Sequence, residues 1–252
     1  MKVVSIINLK GGVSKTITAV NMAHILATVH GKRVLLIDND KQGNTSKFFN
    51  LHSYERPSLA DILVEKNFNI CNAINPTLYP NLHLISANMT LLNANLKVIL
   101  DPARQQQTII KKALKQIEAV YDYCIIDNAP DINISVINGL AAADDVIVPV
   151  KIDQFSFDGM DQLIEQFEDI REFNPNLNFC GCLITQYAKN KTNEQGEEWL
   201  KTSDRYPVFK ATISRTVKVD ESTFAAEPIL QYSKNCKASK DYLAFVKEYL
   251  EK

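Results

Sequence analysis

Short runs of apolar residues alternate along this chain with longer segments of helical period. The runs are continuous, a pattern typical of strands whose two faces are both covered. Between them, apolar residues recur at the spacing of amphipathic helices. This order predicts an α/β fold, with a mostly parallel twisted sheet and helices on both faces. The predicted strands are residues 3–7, 34–37, 82–85, 123–126, 146–150 and 183–186, and the longer helical segments are 17–29, 91–100, 109–120, 154–173 and 240–251.

The length of the chain suits one large domain. Its 252 residues can bury a substantial core, and no linker rich in Pro, Gly or Ser separates the predicted elements. We therefore expect residues 1–252 to form a single domain.

The turn between the first predicted strand and the first predicted helix has the composition of a phosphate-binding loop. Residues 10–16 read K-G-G-V-S-K-T, and the two glycines let backbone N–H groups converge on an anion. The helix directs its positive dipole end to the same place, where Lys15 would add a charge and Thr16 a hydroxyl for Mg2+. A solvated Gly-Gly turn is the alternative. The expected nucleotide contacts are Lys10, Gly11, Gly12, Val13, Ser14, Lys15, Thr16 and Ile17.

This loop departs from the common P-loop, which has glycines at the positions of Leu9 and Ser14. Its K-G-G-x-x-K-[ST] pattern resembles the deviant Walker A motif of the ParA/MinD family of partitioning and positioning ATPases. The resemblance implies a P-loop NTPase in which Lys10 crosses a dimer interface and offsets charge on the transferred phosphoryl group of the partner's nucleotide. We therefore predict an ATP-dependent homodimer, with Lys10 and Lys15 as catalytic residues. For Lys10, a solvated lysine at the loop edge is the alternative.

Two carboxylates follow the predicted strand at 34–37. Asp38 and Asp40 lie where open α/β sheets bind ligands, at the carboxyl end of a buried strand. Residues 38–44 match the family's D-x-D-P-Q-G-N pattern except for Lys41, which replaces proline. The resemblance implies that Asp38 holds Mg2+ through water and that Asp40 orients or deprotonates the attacking water. A turn rich in Asp and Asn is the alternative.

A third carboxylate, Asp127, follows the predicted strand at 123–126. A rigid strand that delivers one carboxylate to a metal is what a Walker B site needs. The family has D-T-P-P or D-T-A-P here, so Asn128 departs from the pattern while Asp127 keeps it. Taken alone, Asp127 could instead cap a helix. Together with Thr16 and Asp38 it predicts a Mg2+ site.

Two later strand ends correspond, by the same resemblance, to segments that border the adenine base. Thr185 and Gln186 end one of these strands. Ser214 and Arg215 occupy the family's I-P-R segment, with Ser214 in place of proline. The resemblance therefore implies adenine contacts from all four residues. Through the V-x-V-D-E stretch at 217–221 it extends over nearly the whole chain.

The net charge of −1 argues against a protein that coats nucleic acid indiscriminately, so any DNA binding must come from a local patch. Residues 201–240 hold eight Lys/Arg against four Asp/Glu, a net charge of +4 that dimerisation would double. In related proteins, basic residues matching Lys191 and Lys218 bind DNA without sequence preference, and we expect Arg215 to contribute. Solvated surface lysines are the alternative.

Nothing in the pattern indicates secretion or a membrane span. The five cysteines form no C-x-x-C pair, which is typical of a reduced cytoplasmic protein. The chain begins directly with a strand-like run, and it has no apolar stretch of about 18 residues. The amphipathic segment at 240–251 has a mixed polar face, so we expect it to dock on the core rather than on a membrane.

These patterns together predict a ParA-type DNA-partitioning ATPase of the small form, without an N-terminal helix-turn-helix. ATP with Mg2+ would close a dimer that binds DNA non-specifically on the nucleoid, and slow hydrolysis, stimulated by a ParB-like centromere-bound partner, would reopen it. The alternatives are a MinD-like membrane-associated positioning ATPase, an electron-transfer ATPase like the nitrogenase iron protein, and a non-enzymatic descendant, which Ile17 and Lys41 would suit. The sequence leaves open whether the cargo is a plasmid or a chromosome, and whether filaments form.

Overall fold

The computed structural model describes residues 1–153, 158–202 and 206–252. The strands in this part of the chain are β1 (Lys2–Ile6), β2 (Val34–Asn39), β3 (Ile74–Pro76), β4 (Leu82–Ile85), β5 (Tyr123–Asn128), β6 (Asp145–Lys151), β7 (Asn178–Tyr187) and β8 (Val208–Ser214). They form one eight-stranded sheet in the order β3-β4-β2-β5-β1-β6-β7-β8. Neighbouring strands run parallel except β3, which pairs antiparallel with β4. The predicted α/β class with a mostly parallel sheet is confirmed.

Helices connect the strands and cover the sheet. In the described residues they are α1 (Lys15–Thr28), α2 (Asn44–Phe48), α3 (Leu59–Val64), α4 (Thr90–Ile99), α5 (Ile109–Leu114), α6 (Ile134–Ala142), α7 (Asp158–Arg171), α8 (Lys191–Thr202), α9 (Val217–Phe224), α10 (Ile229–Tyr232) and α11 (Lys237–Leu250). Two 3-10 turns lie at Ile70–Ala73 and Lys115–Ile117. Within these ranges no helix combines the length and the apolar character that crossing a bilayer requires.

The sheet separates two apolar cores. Alternate residues of β1 enter opposite cores, since side chains of a strand alternate between its faces. Val3 packs with residues of α3 to α7 on one face. Val4 and Ile6 pack with residues of α1, α10 and α11 on the other. Because both faces are covered, the central strands are mostly apolar in their interior positions, which explains their continuous runs in the sequence.

The first helix begins earlier than its apolar pattern predicts. The pattern starts at residue 17, whereas α1 starts at Lys15. Ser14 has the left-handed backbone conformation, with φ 65°, and turns the chain directly into the helix. The first turn therefore carries the polar residues Lys15 and Thr16. The acidic helix predicted at 154–173 is α7, and its predicted first residues, 154–157, lie outside the described ranges.

The C-terminal helix α11 docks on the core, as its amphipathic pattern predicts. Tyr242, Phe245 and Val246 on this helix are fully buried. They pack in the same core as α1. The Tyr242 hydroxyl also lies 3.4 Å from Thr18 Oγ1 on α1. This helix is therefore part of the globular core.

Candidate nucleotide site

The loop between β1 and α1 has two backbone features that are compatible with anion binding. Gly12 has φ +73°, a conformation that side-chain-bearing residues rarely adopt, and a Cβ built there would meet no atom within 4 Å. Ser14 is the N-cap residue of α1, but its side chain makes no capping hydrogen bond. The N–H groups of the first helical turn are therefore left for a ligand, at the positive end of the helix dipole.

The Lys15 side chain lies inside this loop. It is buried, and its Nζ donates a hydrogen bond of 2.9 Å to the Lys10 carbonyl oxygen. Burial lowers the pKa of Lys15, while the carboxylates of Asp127, Asp40 and Asp131 act in the opposite direction. The ammonium group therefore lies between the loop and a set of carboxylates, where it could contact the terminal phosphates of a nucleotide.

Asp38 and Asp127 are directly opposite each other on the adjacent strands β2 and β5. Asp38 Oδ2 accepts hydrogen bonds from the Ser46 N–H, at 2.8 Å, and the Ser46 hydroxyl, at 2.7 Å. Asp127 Oδ2 accepts one from Thr45 Oγ1 at 2.7 Å. The first turn of α2 thus binds both carboxylates.

The two carboxyl groups are buried together. Burial, and secondarily the charge of Asp127, raises the pKa of Asp38 to about 8. Burial raises the pKa of Asp127 to about 6, and hydrogen bonds from the hydroxyls of Thr45 and Thr16 act against the rise. Two ionised carboxylates in this position need a cation nearby.

These residues fit a Mg2+ ion that is bound together with a nucleotide. Asp127 Oδ1 is buried and has no hydrogen-bond partner among the described residues. In the same part of the chain there is no cluster of three or more His, Cys, Asp or Glu that could hold a metal. A Mg2+ ion here would therefore take most of its ligands from phosphate and water, with Thr16, Asp38 and Asp127 as the protein groups beside it.

Asp40 lies at the mouth of the site, partly exposed. Its Oδ1 accepts a hydrogen bond of 2.9 Å from the Gln42 N–H. Its own N–H donates to Asp38 Oδ1 at 3.2 Å. The carboxylate thus sits between solvent and the Asp38–Lys15 interior, a position from which it could orient a water molecule.

Lys10 is paired within its own chain. Its ammonium group forms an ion pair with Asp153, just beyond the end of β6. About a third of each of these two side chains is exposed. The part played by Lys10 across a dimer interface stays a prediction. Asp153 has no counterpart among the sequence-derived site residues.

The structure brings the four predicted adenine-contact residues to the β7 and β8 ends of the sheet. Thr185 Oγ1 donates to the Val13 carbonyl oxygen at 3.0 Å, and Gln186 Nε2 donates to Ser14 Oγ at 3.0 Å. Both therefore contact the loop between β1 and α1. Ser214 ends β8, and the Arg215 N–H donates to the Tyr187 carbonyl oxygen at 2.9 Å. Ile17 is partly buried in the first turn of α1.

The predicted DNA-contact residues Lys191, Arg215 and Lys218 are all exposed. Lys191 begins α8, which follows β7, and the other two follow β8. All three therefore lie after the carboxyl ends of neighbouring strands. Lys218 Nζ is 2.7 Å from Glu221 Oε2, so part of its charge is already paired. Arg205, another basic residue of the 201–240 segment, lies outside the described residues.

Several residues of the site were missed at the sequence level. Thr45 and Ser46 donate hydrogen bonds to the two buried carboxylates. The only feature of the sequence that could have indicated them is their position in the first turn of a helix, after Gly43 and Asn44. Asn39 and Asn128 form a buried cross-strand pair, with a hydrogen bond of 2.8 Å from Asn39 Nδ2 to Asn128 Oδ1. Asp131, which acts on Lys15, had no signal beyond its closeness to Asp127.

Comparison with known sequences places the chain among partitioning proteins. A family model described as an AAA domain matches residues 1–179. The chain is 33% identical over 250 residues to the sporulation initiation inhibitor protein Soj of Bacillus subtilis (strain 168), covering 98% of this chain and 97% of that protein. It is also 33% identical to the chromosome partitioning protein ParA of Caulobacter vibrioides (strain NA1000 / CB15N), over 100% of this chain and 95% of that one.

Solved structures with the same fold include nucleotide-bound proteins. A plasmid partition protein of Borrelia burgdorferi B31 bound to AMPPNP superposes with a TM-score of 0.84 at 28% identity, covering 99% of this chain and 98% of that one. The cobyrinic acid a,c-diamide synthase of Mycobacterium smegmatis, with a bound ATP analogue and magnesium, superposes with a TM-score of 0.87 at 27% identity, covering 100% and 94%.

Proposed function

This chain belongs to the ParA/Soj family of partitioning ATPases, and from that membership we propose that it works as an ATP-driven DNA-partitioning switch. It is an ATPase that uses ATP and Mg2+. In the proposed cycle the whole chain acts as one domain, and ATP binding closes a homodimer. The dimer binds DNA without sequence preference, and slow hydrolysis resets it.

One observation carries the proposal. The phosphate loop, the buried Lys15 and the facing pair Asp38 and Asp127 converge at the carboxyl edge of the sheet. In an open α/β sheet this edge is where ligands bind. Phosphoryl transfer depends mainly on positioning and on charge stabilisation, and this group of residues offers both.

Each of these residues has a proposed task. The backbone of residues 10–17 and the Lys15 ammonium would bind the phosphates. Thr16, Asp38 and Asp127 would hold Mg2+, which when bound neutralises charge on the phosphate oxygens. Asp40 would orient or deprotonate the attacking water from the mouth of the site.

Lys10 would leave Asp153 and reach the nucleotide of the partner subunit. Its ion pair with Asp153 is partly exposed, so solvent and salt already weaken it. A triphosphate carries more negative charge than one carboxylate and would compete for the ammonium group. The proposed exchange links ATP binding to dimerisation, because Lys10 can make its new contact only in a dimer.

The remaining contacts complete the cycle. Thr185, Gln186, Ser214 and Arg215 would border the adenine base. Lys191, Arg215 and Lys218 would contact DNA phosphates, and a dimer would present two such sets side by side. A ParB-like partner would stimulate hydrolysis, and the protein would work in the cytoplasm, on the nucleoid.

We expect Lys10→Ala to keep ATP binding and to lose ATP-dependent dimerisation and DNA retention. The loop backbone and Lys15 would still bind the nucleotide, but the charge that crosses the interface would be gone. Light scattering with ATP and Mg2+ measures the dimer, and retention on immobilised non-specific DNA measures binding. Turnover should fall by at least about tenfold.

Two further results bear on the proposal. Normal ATP-driven dimerisation by Lys10→Ala would refute the role given to that lysine. ATP-dependent pelleting of the wild type with lipid vesicles, without DNA retention, would favour the membrane-associated positioning alternative instead. The burial of Tyr242 and Phe245 on α11 argues against that outcome, because a membrane-binding helix must be able to leave the core.

A further inference from the structure

Lys41, which stands where the family has proline, reaches across the site. Its Nζ lies 3.4 Å from Asp131 Oδ2. Lys41 belongs to the loop after β2, which carries Asp40, and Asp131 belongs to the loop after β5, which follows Asp127. The ion pair therefore connects two loops that lie 90 residues apart in the sequence.

Asp131 is also hydrogen-bonded to the residue that caps helix α6. Its Oδ1 accepts a hydrogen bond of 2.6 Å from Asn133 Nδ2. Asn133 in turn caps α6, because its Oδ1 accepts from the N–H groups of Ser135, at 2.9 Å, and Val136, at 3.1 Å. Lys41 is thus linked through two side chains to the first turn of that helix.

A second link joins the same two regions but differs in character. Asn39 Nδ2, at the end of β2, donates to the Ser135 carbonyl oxygen at 2.9 Å, and both residues are buried. In the first link, the Lys41 side chain is 33% exposed and the Asp131 side chain 45% exposed. The buried link is fixed by its surroundings, whereas the exposed ion pair can open without moving the core.

One residue of the exposed pair lies next to Asp40 in the sequence. Asp40 immediately precedes Lys41. The loop is anchored where it enters α2, because Thr45 Oγ1 donates to Asp127 Oδ2 at 2.7 Å, and within the loop the Gly43 N–H donates to the Asp40 carbonyl oxygen at 2.9 Å. A proline at position 41 would fix one backbone angle but would have no side chain to reach Asp131. In this chain, the Asp40 loop therefore has, between its buried anchors, one long-range contact that is exposed and can break.

We propose that Lys41 and Asp131 form a clasp that positions the Asp40 loop against the loop after Asp127, and so sets the place of Asp40 relative to the phosphates. The inference deepens the proposed function, because it rests on Asp40 orienting the attacking water. Lys41 and Asp131 are positioning residues that act through Asp40. Opening of the clasp would free the Asp40 loop while the buried Asn39 link keeps β2 and α6 together.

The test is an exchange of charges in the full chain. Lys41→Asp and Asp131→Lys each place two like charges together. The double variant again has opposite charges at the two positions, with the carboxylate at position 41 and the ammonium group at position 131. Lys41→Arg keeps the pair. Amide hydrogen exchange of residues 40–44 in nucleotide-free protein reports loop mobility. Phosphate release with ATP and Mg2+ reports kcat and KM.

We expect each single reversal to speed exchange in residues 40–44 by about threefold and to lower kcat by about fivefold, with a smaller change in KM. The double variant and Lys41→Arg should return both quantities to within about twofold of the wild type. Lys66 and Asp101 form a remote ion pair, with 3.6 Å between their charged groups. Reversing the charge of one partner by Lys66→Asp should leave the exchange rate of residues 40–44 and kcat unchanged.

Either of two outcomes would contradict the proposal that Lys41 and Asp131 position the Asp40 loop. One is that the single reversals leave loop exchange at the wild-type rate, and the other is that the double variant is no closer to the wild type than the singles. A wild type that never dimerises with ATP would instead count against the proposed function. In that case, hydrogen exchange of the nucleotide-free protein would still show whether the Lys41–Asp131 pair restrains the Asp40 loop.

Discussion

Asp38 and Asp127 sit on adjacent strand ends with both carboxyl groups out of water. Burial raises the pKa of each, to about 8 and about 6 respectively. A bound cation favours the ionised forms, so Mg2+ binding near neutral pH should release protons. The hydroxyl and amide donors of Thr45 and Ser46 hold the carboxylates in place until the ion arrives.

His24, on α1, gives a residue-scale prediction about pH and stability. Burial lowers its pKa to about 4, and its ring packs edge-on against Tyr79. An unfolded histidine takes up a proton near pH 6.5, whereas folded His24 stays neutral down to about pH 4. The unfolded state binds more protons in this window, so the free energy of unfolding should fall as the pH drops from about 6.5 to about 4.

Removing the imidazole should remove this dependence. Between pH 7 and pH 5 we expect the wild type to lose about 2 kcal/mol more than His24→Leu, because only the wild type gains a proton on unfolding. Urea unfolding of both proteins at the two pH values measures the difference. Equal losses would show that His24 does not titrate as its burial implies.

Among the secondary-structure elements, the ends of β2 and β5 and helix α6 form one unit around the site. Asn128 Nδ2, at the end of β5, donates to Ser5 Oγ on β1 at 2.8 Å. Asn39 reaches both Asn128 and α6. The helix can approach these amides so closely because it carries Gly139 where it faces them. A Cβ there would lie 2.8 Å from Asn128 Oδ1 and 3.1 Å from Asn39 Nδ2.

We predict that Gly139→Ala is destabilising although alanine is the better helix former. The helical gain is about 1 kcal/mol, and overpacking costs about 1–3 kcal/mol. The matched control is Gly159→Ala on α7, where a Cβ would meet nothing within 4 Å among the described residues. That change should be stabilising. Thermal unfolding of the two variants gives the signs, and a rise in Tm for both would contradict the close packing.

Over the whole molecule, charge is unevenly distributed. The net charge is −1, yet exposed basic residues follow the carboxyl ends of β7 and β8, at the same edge of the sheet as the nucleotide site. A dimer closed over that edge would bring two such patches together. In the proposed cycle, DNA affinity would therefore depend on ATP through dimerisation.

We expect Lys191→Ala and Lys218→Ala each to weaken ATP-dependent binding to non-specific DNA. The plot of log affinity against log salt concentration should become less steep by about one for each phosphate that is no longer neutralised. Lys247→Ala on α11, whose side chain is 73% exposed, removes the same charge elsewhere and is the control. Equal slopes for the wild type and both patch variants would remove these lysines from the DNA interface.

Local patterns were enough to predict much of this protein. The glycine-containing turn between β1 and α1, the carboxylates at the ends of β2 and β5 and the α/β class could all be deduced from the sequence, because apolar periodicity and turn chemistry act between near neighbours. Small errors arose where local chemistry overrode periodicity, as at the start of α1, where a left-handed Ser14 adds Lys15 and Thr16 to the helix.

The sequence by itself determined which side chains stand at each strand end, and the tertiary structure alone decided which of them meet. The ion pair of Lys10 with Asp153 spans 143 residues, and that of Lys41 with Asp131 spans 90. Both depend on the order β2-β5-β1-β6 in the sheet, which no local pattern encodes. Strand order is set by the packing of the entire core, so contacts between strand ends emerge only when the chain has folded.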